Sequence, residues 1–250
     1  MPVDVLVAGA GPGGVSAAVQ LHRLGARVHW WDRSGQVGGL LANAHRVENW
    51  PGMPAGASGR ECCRLLQAHA SFFGLFPEPR ELAAFREENN RVHVTDAAGR
   101  EELYDALVLA VGTLPLPWEQ ALLSVRVVYE YTRLPECLFR LLVVGGGEAA
   151  CDGALHAAEN GRDVVLAVRS NRLKARGILA RRALSHPRID VRFSTRVHSL
   201  KEQETGLACS FSENGALSES FDAVLFCGGR VSALRNLGHP ETGQMRLSSR

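Results

Sequence analysis

The chain has 250 residues, of which 46% are hydrophobic, and a formal net charge of +2 at pH 7. This length allows one large domain or two small ones, and the nearly balanced charge gives no reason to expect a nucleic-acid partner. The longest apolar stretches, such as residues 106–111, are too short to cross a membrane. Because the N-terminus has no basic segment followed by an apolar run, we expect a cytoplasmic protein without a signal peptide.

The first predicted unit is a strand, a glycine-rich turn, a helix and a second strand, at residues 3–8, 9–14, 15–24 and 26–31. In such a unit the glycines let the backbone approach a pyrophosphate, which the free N–H groups at the helix N-terminus bind. Asp32 ends the second strand, where a carboxylate accepts hydrogen bonds from a ribose hydroxyl. The unit therefore predicts a site for FAD or NAD, with a tight turn that binds no ligand as the alternative interpretation.

Residues 60–70 form a predicted amphipathic helix that carries Cys62 and Cys63. We expect both cysteines to pack in the core, because neighbouring helical side chains point in different directions and rarely pair. After this helix, residues 85–109 alternate and turn like a β-meander, and its last strand, 106–110, is predicted to be buried. The prolines that follow indicate a crossover to a second domain.

The first unit is repeated without a gap in the second half of the chain, where Gly9 and Asp32 correspond to Gly145 and Val168. The second unit thus lacks the carboxylate, and a basic cluster at residues 169–176 follows instead. Such a cluster attracts a 2′-phosphate that a carboxylate would repel. The first unit therefore suits the adenosine of FAD and the second suits NADP(H) over NAD(H), unless the basic residues are an ordinary solvated loop.

The second unit also ends in an apolar strand, 221–227, that leads into a glycine. We therefore predict a FAD-binding domain over residues 1–113 and an NAD(P)H-binding domain over residues 114–232. Residues 233–250 are predicted to begin a return to the first domain.

Five segments together resemble the low-molecular-weight thioredoxin reductases, within the pyridine nucleotide-disulfide oxidoreductase superfamily, and their relatives, the thioredoxin reductase-like ferredoxin–NADP reductases. In the first half of the chain, residues 9–14 are similar to the family's FAD loop, residues 47–52 to its ENFPG-like flavin segment and residues 110–113 to its ATG turn. In the second half, residues 145–150 are similar to the GGGDSA loop for NADPH and residues 168–175 to the HRRDxFRA segment. The resemblance implies an α/β fold with two nested Rossmann-like dinucleotide-binding domains, parallel sheets and a β-meander. It also implies FAD and NADP(H) as cofactors, and a homodimer.

Candidate cofactor-binding residues follow from the glycine turns and from the resemblance. For FAD they are Gly9, Gly11, Pro12, Gly13, Gly14, Asp32, Arg33, Gly38, Gly39, Leu40, Asn49, Ala110, Gly112 and Thr113. For NADP(H) they are Gly145, Gly146, Gly147, Glu148, Ala149, Arg169, Arg172, Lys174 and Gly228. No catalytic residue is assigned, because hydride transfer between two bound cofactors requires no acid or base from the protein. No metal site is expected, because no His/Cys cluster has zinc-ligand spacing.

The cysteines include no C-x-x-C pair, the motif with which thioredoxin reductases pass electrons to a disulfide; they are Cys62, Cys63, Cys137, Cys151, Cys209 and Cys227. Counting back without gaps from the second glycine turn places this motif on residues 128–131. Without a vicinal thiol pair, exchange through a mixed disulfide is not available within this chain. A minor alternative uses Cys137 or Cys151 with a thiol of a partner chain. In that case the helix N-terminus would lower the pKa of Cys151, which otherwise is a buried small hydrophobe.

We therefore predict an FAD-dependent NAD(P)H oxidoreductase that passes hydride from NADPH to the flavin and electrons to an external acceptor. The acceptor could be an iron–sulfur protein, a quinone or oxygen. The alternative is a non-catalytic FAD/NADP(H)-binding protein, such as a redox sensor or a partner subunit. It is motivated by the missing C-x-x-C and by the end of the chain: residues 243–245 resemble the approach to the family's last flavin segment, and the chain ends at Arg250 before it. We expect weaker FAD binding without that segment.

Overall fold

The structure is a computed structural model, and it describes residues 1–119, 124–135, 137–211 and 217–237. Its helices are α1 (Pro12–Arg23), α2 (Gly59–Phe72), α3 (Glu148–Glu159) and α4 (Gly177–Ser185). Its strands are β1 (Asp4–Ala8), β2 (Arg27–Asp32), β3 (Glu78–Pro79), β4 (Leu82–Glu88), β5 (Arg91–Asp96), β6 (Glu101–Tyr104), β7 (Ala106–Leu109), β8 (Thr113–Pro115), β9 (Val127–Val128), β10 (Arg140–Val144), β11 (Asp163–Ala167), β12 (Ile189–Arg192), β13 (Ser199–Gln203), β14 (Gly206–Ser210), β15 (Ser218–Phe221), β16 (Ala223–Phe226) and β17 (Arg230–Ser232). No helix in these ranges is long and apolar enough to cross a membrane. Residues 243–245 lie outside the described residues.

The chain divides into two compact units. The first contains residues 1–42, residues 59–114 and the described residues after 230, whereas the second contains residues 43–58 and 115–230. The sequence analysis places residues 43–58 in the first domain, but in the structure this segment is part of the second unit. The assignment of one dinucleotide to each unit stays a prediction.

The first unit is built on a parallel sheet with the strand order β3-β2-β1-β7. The apolar strand β1 lies inside this sheet and is buried over its last four residues. Its final residue, Ala8, pairs with Trp31 of β2 and Leu109 of β7. The helix α1 follows directly and buries one face, which includes Val15 and Ala18. The glycine turn between β1 and α1 therefore lies at the carboxyl edge of the sheet.

The predicted β-meander is confirmed over residues 82–104 by the antiparallel sheet β4-β5-β6. Its last predicted strand is instead β7, which pairs in parallel with β1. Asn89 and Asn90 connect β4 to β5 with φ angles of 54° and 60°, as a type I′ hairpin turn requires. Val94 and Tyr104 pack in one hydrophobic cluster with Leu6 of β1. The meander therefore covers one face of the parallel sheet.

The prediction that the strand at 106–110 is buried is wrong, because every residue of β7 is only half-buried. β7 pairs with β1 on one side, and among the described residues it is the edge strand of the sheet. A local sequence pattern does not distinguish an apolar edge strand from an apolar central strand, because only the pairing partners differ.

The second unit repeats this arrangement in a five-stranded parallel sheet with the order β12-β11-β10-β16-β9. Val144 of β10 pairs with Ala167 of β11, and these are the residues that the sequence repeat aligns with Ala8 and Trp31. The predicted repeat is therefore confirmed down to the register of its strands. The helix α3 packs its buried face, which includes Ala154, into the hydrophobic core of this unit.

The antiparallel sheet β13-β14-β15 covers the other face of this five-stranded sheet. Leu207 of β14 and Phe221 of β15 share a buried cluster with Leu142 of β10 and Val165 of β11. A parallel sheet normally has both faces covered, and here a helix layer covers one face and an antiparallel sheet the other. The predicted α/β fold class is confirmed.

Candidate dinucleotide-binding sites

The two glycine turns begin at equivalent residues, Gly9 and Gly145, whose backbone angles favour glycine. The angle φ is +106° at Gly9 and +147° at Gly145. Each N–H donates to the end of the neighbouring strand, from Gly9 to Trp31 O (2.7 Å) and from Gly145 to Ala167 O (3.0 Å). A Cβ at either glycine would collide with the backbone carbonyl of the residue just after the strand on its other side, Ala110 after β7 or Cys227 after β16. Both turns therefore require glycine at this position.

The next glycines, Gly11 and Gly147, precede α1 and α3 and face free space. A Cβ on either residue would meet no protein atom within 4 Å, so packing within the protein does not require glycine here. Neither helix has a side-chain cap, and the first N–H groups of a helix need an acceptor. Free space in front of uncapped helix N-termini fits the pyrophosphate of a dinucleotide.

The remaining residues of the first turn differ in their surroundings. Pro12 is the first residue of α1, a position where the missing N–H of proline has no structural cost. Gly13 faces free space, whereas Gly14 lies so close to the carbonyl group of Gly9 that a Cβ would overlap it. Gly14 therefore keeps the helix close to the strand, and Gly13 adds room for a ligand.

Asp32 ends β2 and binds the backbone of the glycine turn. Ala10 N–H donates to Asp32 Oδ2 (2.9 Å), and Ser34 N–H donates to Asp32 Oδ1 (2.8 Å). Because an ionised carboxylate has about four acceptor sites, Asp32 can hold the turn and still accept a hydrogen bond from a ribose hydroxyl. The following residue, Arg33, is exposed.

The segment 38–40 lies beside the same glycine turn. Gly38 N–H donates to Ala10 O (2.8 Å), and a Cβ on Gly39 would lie 3.3 Å from Gly11 Cα. Leu40 is exposed. These residues therefore border the space in front of α1.

The chain segment after β7 also lies beside this turn. Ala110 N–H donates to Ala8 O (2.8 Å), and the carbonyl of Ala110 is the group that a Cβ on Gly9 would overlap. Gly112, with φ at +71°, and Thr113 follow as exposed residues. The structure thus brings together four predicted flavin-binding segments at the carboxyl edge of the first sheet, residues 9–14, 32–33, 38–40 and 110–113.

Asn49 does not lie in the first unit with the other predicted flavin residues. It is exposed and belongs to the segment 43–58 of the second unit. Val47 and Ala57 close this segment by an isolated antiparallel bridge. Seven residues between 47 and 55, Asn49 among them, line an open groove of about 330 Å³.

In the second unit, Gly146 joins the glycine turn to the basic loop that follows β11. The N–H groups of Lys174 and Ala175 both donate to Gly146 O (2.6 and 3.0 Å). A Cβ on Gly146 would lie 2.8 Å from Val168 Cγ1, and Val168 is buried. The strand end that lacks a carboxylate and the basic loop are therefore both in contact with the second glycine turn.

The three predicted cationic side chains, Arg169, Arg172 and Lys174, are exposed. In the described parts of the chain, none of them forms an ion pair with a carboxylate. Cations that are not neutralised by the protein leave a positive field over this edge of the sheet. The charge fits the additional 2′-phosphate of NADP(H).

The last three candidates of the second unit lie on both sides of the glycine turn. Glu148 and Ala149 are exposed residues at the start of α3. Gly228 is exposed after β16, next to Cys227, whose carbonyl oxygen a Cβ on Gly145 would approach to 2.6 Å. The structure therefore brings these residues to the same edge as the turn.

All six cysteines are free thiols, and for five of them burial raises the pKa. Burial raises the pKa of Cys151 to about 11 and that of Cys227 to about 12. The hypothesis that the helix N-terminus lowers the pKa of Cys151 is therefore wrong, because this side chain is buried in the hydrophobic core. Cys137 is exposed.

The position that the resemblance gives to the redox motif holds an aromatic side chain that the sequence analysis did not assign. Tyr131 stacks on the ring of His156 at 3.8 Å, and Tyr131 OH accepts a hydrogen bond from Arg162 Nη1 (2.7 Å). His156 in turn stacks on His45 at 4.6 Å. No short-range pattern predicts this stack, because His45 and His156 are far apart in the sequence.

Two consecutive βαβ units, each with a glycine turn at the carboxyl edge of a parallel sheet, define the class of two-domain Rossmann-type α/β proteins. The profile of one such family, described as pyridine nucleotide-disulphide oxidoreductase, matches residues 3–249. The chain belongs to this family of oxidoreductases. FAD and NADPH, the predicted cofactors, are the cofactors that this family uses.

Known proteins with similar sequences include thioredoxin reductases. One from Neurospora crassa is 28% identical over 83% of this chain and 66% of its own length. One from Streptomyces clavuligerus is 28% identical over 89% of this chain and 72% of its own length. The chain therefore spans about two thirds of the length of these relatives.

Among solved structures, the thioredoxin reductase of Lactococcus lactis has the same fold. The TM-score is 0.81 at 20% identity, and the match covers 91% of this chain and 78% of the other. This likeness confirms the predicted fold, and the profile match over residues 3–249 confirms the predicted family.

Proposed function

We propose that the chain is an FAD-dependent NADPH oxidoreductase that delivers electrons to an external acceptor and is not a thioredoxin reductase. One observation carries this proposal. The two glycine turns have the same geometry, but the strand end beside them is Asp32 in the first unit and buried Val168, followed by exposed cations, in the second. A carboxylate selects a ribose with free hydroxyls, and free cations select a 2′-phosphate. The first unit is therefore assigned to FAD and the second to NADPH.

In the first unit, Gly11 and Gly13 leave room for the pyrophosphate, and the uncapped N-terminus of α1 supplies N–H donors to it. Asp32 accepts a hydrogen bond from the adenosine ribose. In the second unit, Gly147 and the N-terminus of α3 have the same role. The cations at 169–174 bind the 2′-phosphate and so orient the nucleotide along the edge of the sheet.

When bound, FAD supplies the redox chemistry, because a flavin accepts a hydride from NADPH and can release the electrons to a second acceptor. The protein's own thiols do not provide a route for these electrons. No two cysteines have C-x-x-C spacing, and Tyr131 packs against His156 where the motif would lie. We therefore assign the role of acceptor to an external molecule, such as an iron–sulfur protein, a quinone or oxygen. A cytoplasmic location and a homodimer are parts of the same proposal.

The test is an absorption spectrum of the purified protein, recorded without air before and after NADPH is added. We expect visible flavin bands that bleach with NADPH faster than with NADH. The variant Arg172→Gln should slow bleaching by NADPH and leave bleaching by NADH nearly unchanged, because it removes a charge that only the 2′-phosphate uses. Glu204→Gln, an exposed change outside both sites, is the matched control and should match the parent protein.

A protein that stays colourless after incubation with excess FAD, yet binds NADPH, would contradict the enzyme proposal. It would favour a non-catalytic nucleotide-binding protein, such as a redox sensor or a partner subunit. Reduction of thioredoxin by the purified protein and NADPH would contradict the part of the proposal that excludes this activity.

A further inference from the structure

The segment that follows the second glycine turn carries an unusual excess of positive charge. Residues 164–201 contain ten Lys and Arg side chains and one acidic residue, Asp190. Three of the cations form ion pairs: Arg182 with Glu48, Arg188 with Asp163, and Arg192 with Asp190 and Glu219. Among the described residues, the exposed cations outside these pairs include Arg169, Arg172, Lys174, Arg176, Arg181 and Arg196.

Backbone hydrogen bonds bring Arg196 beside the basic loop, although more than twenty residues separate them in the sequence. Ser194 N–H donates to Ser170 O (3.0 Å), and Thr195 N–H donates to Val168 O (3.0 Å). Ser194 has a positive φ of 51°, so the chain turns at this residue as it leaves β12. The segment 194–196 therefore continues along the end of β11, where the carboxylate of the first unit is replaced by Val168.

The first unit offers an internal comparison at the same place. There Arg80 N–H donates to Asp32 O (3.1 Å), as Thr195 N–H donates to Val168 O in the second unit. By this hydrogen bond Arg80 corresponds to Thr195, and the next residue, Glu81, corresponds to Arg196. The strand-end residue and this next residue are therefore both acidic in the first unit, Asp32 and Glu81. In the second unit they are neutral Val168 and cationic Arg196, whereas the intervening cation of the first unit, Arg80, is paired with Asp96 and Glu102.

We propose that Arg196 is a further specificity-determining residue, which binds the 2′-phosphate of NADP(H) together with the cations of the β11–α4 loop. This inference rests on the proposed function, because it requires the second unit to bind NADP(H). A phosphate monoester carries a charge of about −1.5 to −2 near neutral pH and three acceptor oxygens, so it can engage cations from more than one chain segment. A guanidinium offers two parallel N–H donors to such a group.

The inference is tested by calorimetric titration of the full chain with two fragments of the nucleotide, 2′,5′-ADP and 5′-AMP. These differ only in the 2′-phosphate and need no flavin. We expect Arg196→Gln to weaken binding of 2′,5′-ADP about tenfold, as loss of one charge-assisted hydrogen bond does. Binding of 5′-AMP should change less than about twofold, because it lacks the phosphate that Arg196 contacts. Arg196→Lys, which keeps the charge, should recover most of the affinity.

The matched control is Arg181→Gln, which removes an exposed charge from α4 in the same unit. It should leave 2′,5′-ADP binding within about twofold of the parent protein, because Arg181 lies outside the two segments assigned to the phosphate and the field of an exposed charge is screened by salt. The salt dependence of 2′,5′-ADP binding should become weaker in Arg196→Gln and remain the same in Arg181→Gln.

Three results would overturn the assignment. Unchanged 2′,5′-ADP binding in Arg196→Gln would exclude a contact with the phosphate. An equal loss for both fragments would place Arg196 at the adenosine, or make its role structural. If Arg181→Gln weakened 2′,5′-ADP binding as much as Arg196→Gln does, the affinity would depend on the overall positive field of the unit and not on a contact with Arg196. A parent protein that binds the two fragments equally would instead refute the NADP(H) assignment itself, and Arg196 with it.

Discussion

Single residues of the two glycine turns have distinct tasks, and the structure separates those that shape the turn from those that leave room for a ligand. Gly145 has a positive φ and abuts a carbonyl group, so it is needed for folding. Gly147 has an ordinary extended backbone, with φ at −87°, and faces free space. We therefore expect the same substitution to reduce stability at Gly145 and to reduce nucleotide binding at Gly147.

Gly145→Ala should destabilise the second unit by about 2 kcal/mol or more, because the new Cβ meets a backbone carbonyl and the φ angle is strained for alanine. Gly147→Ala should leave stability within about 0.5 kcal/mol and weaken NADPH binding about tenfold, because its Cβ enters the space of the pyrophosphate. Urea unfolding and a fluorescence titration with NADPH measure the two effects. Equal loss of stability in both variants would refute this division of roles.

Asp96 is a buried carboxylate of the first unit, with a side chain only 2% exposed. Burial alone would raise the pKa of Asp96, but hydrogen bonds from Arg100 and Arg80 hold this pKa well below its usual range. A lowered pKa in the folded state means that the ionised carboxylate stabilises the fold above its ordinary pKa of about 4. This stabilisation is lost progressively as the pH falls below that value.

Asp96→Asn should therefore lower the thermal midpoint clearly near neutral pH, and the difference from the parent protein should shrink near pH 3. Scanning calorimetry at both pH values measures this. Glu87→Gln, an exposed change on β4 of the same unit, is the control and should have little effect at either pH. A difference that stays constant with pH would show that the charge of Asp96 does not matter.

At the scale of elements, the segment 43–58 is attached to the second unit by polar contacts rather than by a regular strand. His45 N–H donates to Asp152 Oδ2 (2.8 Å), and Glu159 Oε2 lies 2.9 Å from His45 Nε2 and 2.7 Å from Arg46 Nη2. Burial alone would raise the pKa of Glu159, but its bonds to His45 and Arg46 lower this pKa. Two residues of α3, Asp152 in its first half and Glu159 at its C-terminal end, therefore hold a segment that the resemblance places beside the flavin.

Glu159→Gln should loosen this segment and accelerate tryptic cleavage after Arg46 roughly fivefold, since partly exposed ion pairs of this kind contribute about 1 kcal/mol. Mass spectrometry of timed digests identifies the cut. Glu204→Gln, which is exposed in the same unit, is the matched control. If both variants are cleaved at the parental rate, the contacts of Glu159 do not hold the segment.

For the molecule as a whole, the distribution of thiols bears on the proposed transfer of electrons to an external acceptor. Burial raises the pKa of Cys151 to about 11 and those of Cys209 and Cys227 to about 12. Only a very small fraction of these thiols is therefore ionised to thiolate near neutral pH. Cys137 is exposed and is the thiol most open to reagents. Electron transfer from NADPH through the flavin to a small acceptor should therefore be independent of cysteine.

Treatment with iodoacetamide near pH 7.5 should modify Cys137 first and leave NADPH-dependent reduction of ferricyanide unchanged. Cys137→Ser should behave like the untreated protein and resist this modification. A loss of activity that follows alkylation of Cys137, and that is absent from Cys137→Ser, would instead favour chemistry through a thiol of this chain.

The sequence predicted the repeat of β1-α1-β2 in β10-α3-β11 and the meander, because these features depend on residues close together in the chain. Glycine, hydrophobic periodicity and turn-forming Asn89 and Asn90 act locally. The short elements β9, β12 and α4 were not predicted, because their formation depends on neighbours in the sheet and not on a local pattern.

The sequence alone determined that each unit has a glycine turn. It also determined that the charge beside this turn is negative in the first unit, at Asp32, and positive in the second, in the basic loop at 169–176. Only the tertiary structure decided that β7 is a half-buried edge, that residues 43–58 belong with α3, and that Arg196 lies beside the basic loop. The physical reason is the same in each case. Turns, helix starts and charge signs are properties of short segments, whereas burial and proximity arise when strands distant in sequence pair and bring their ends together.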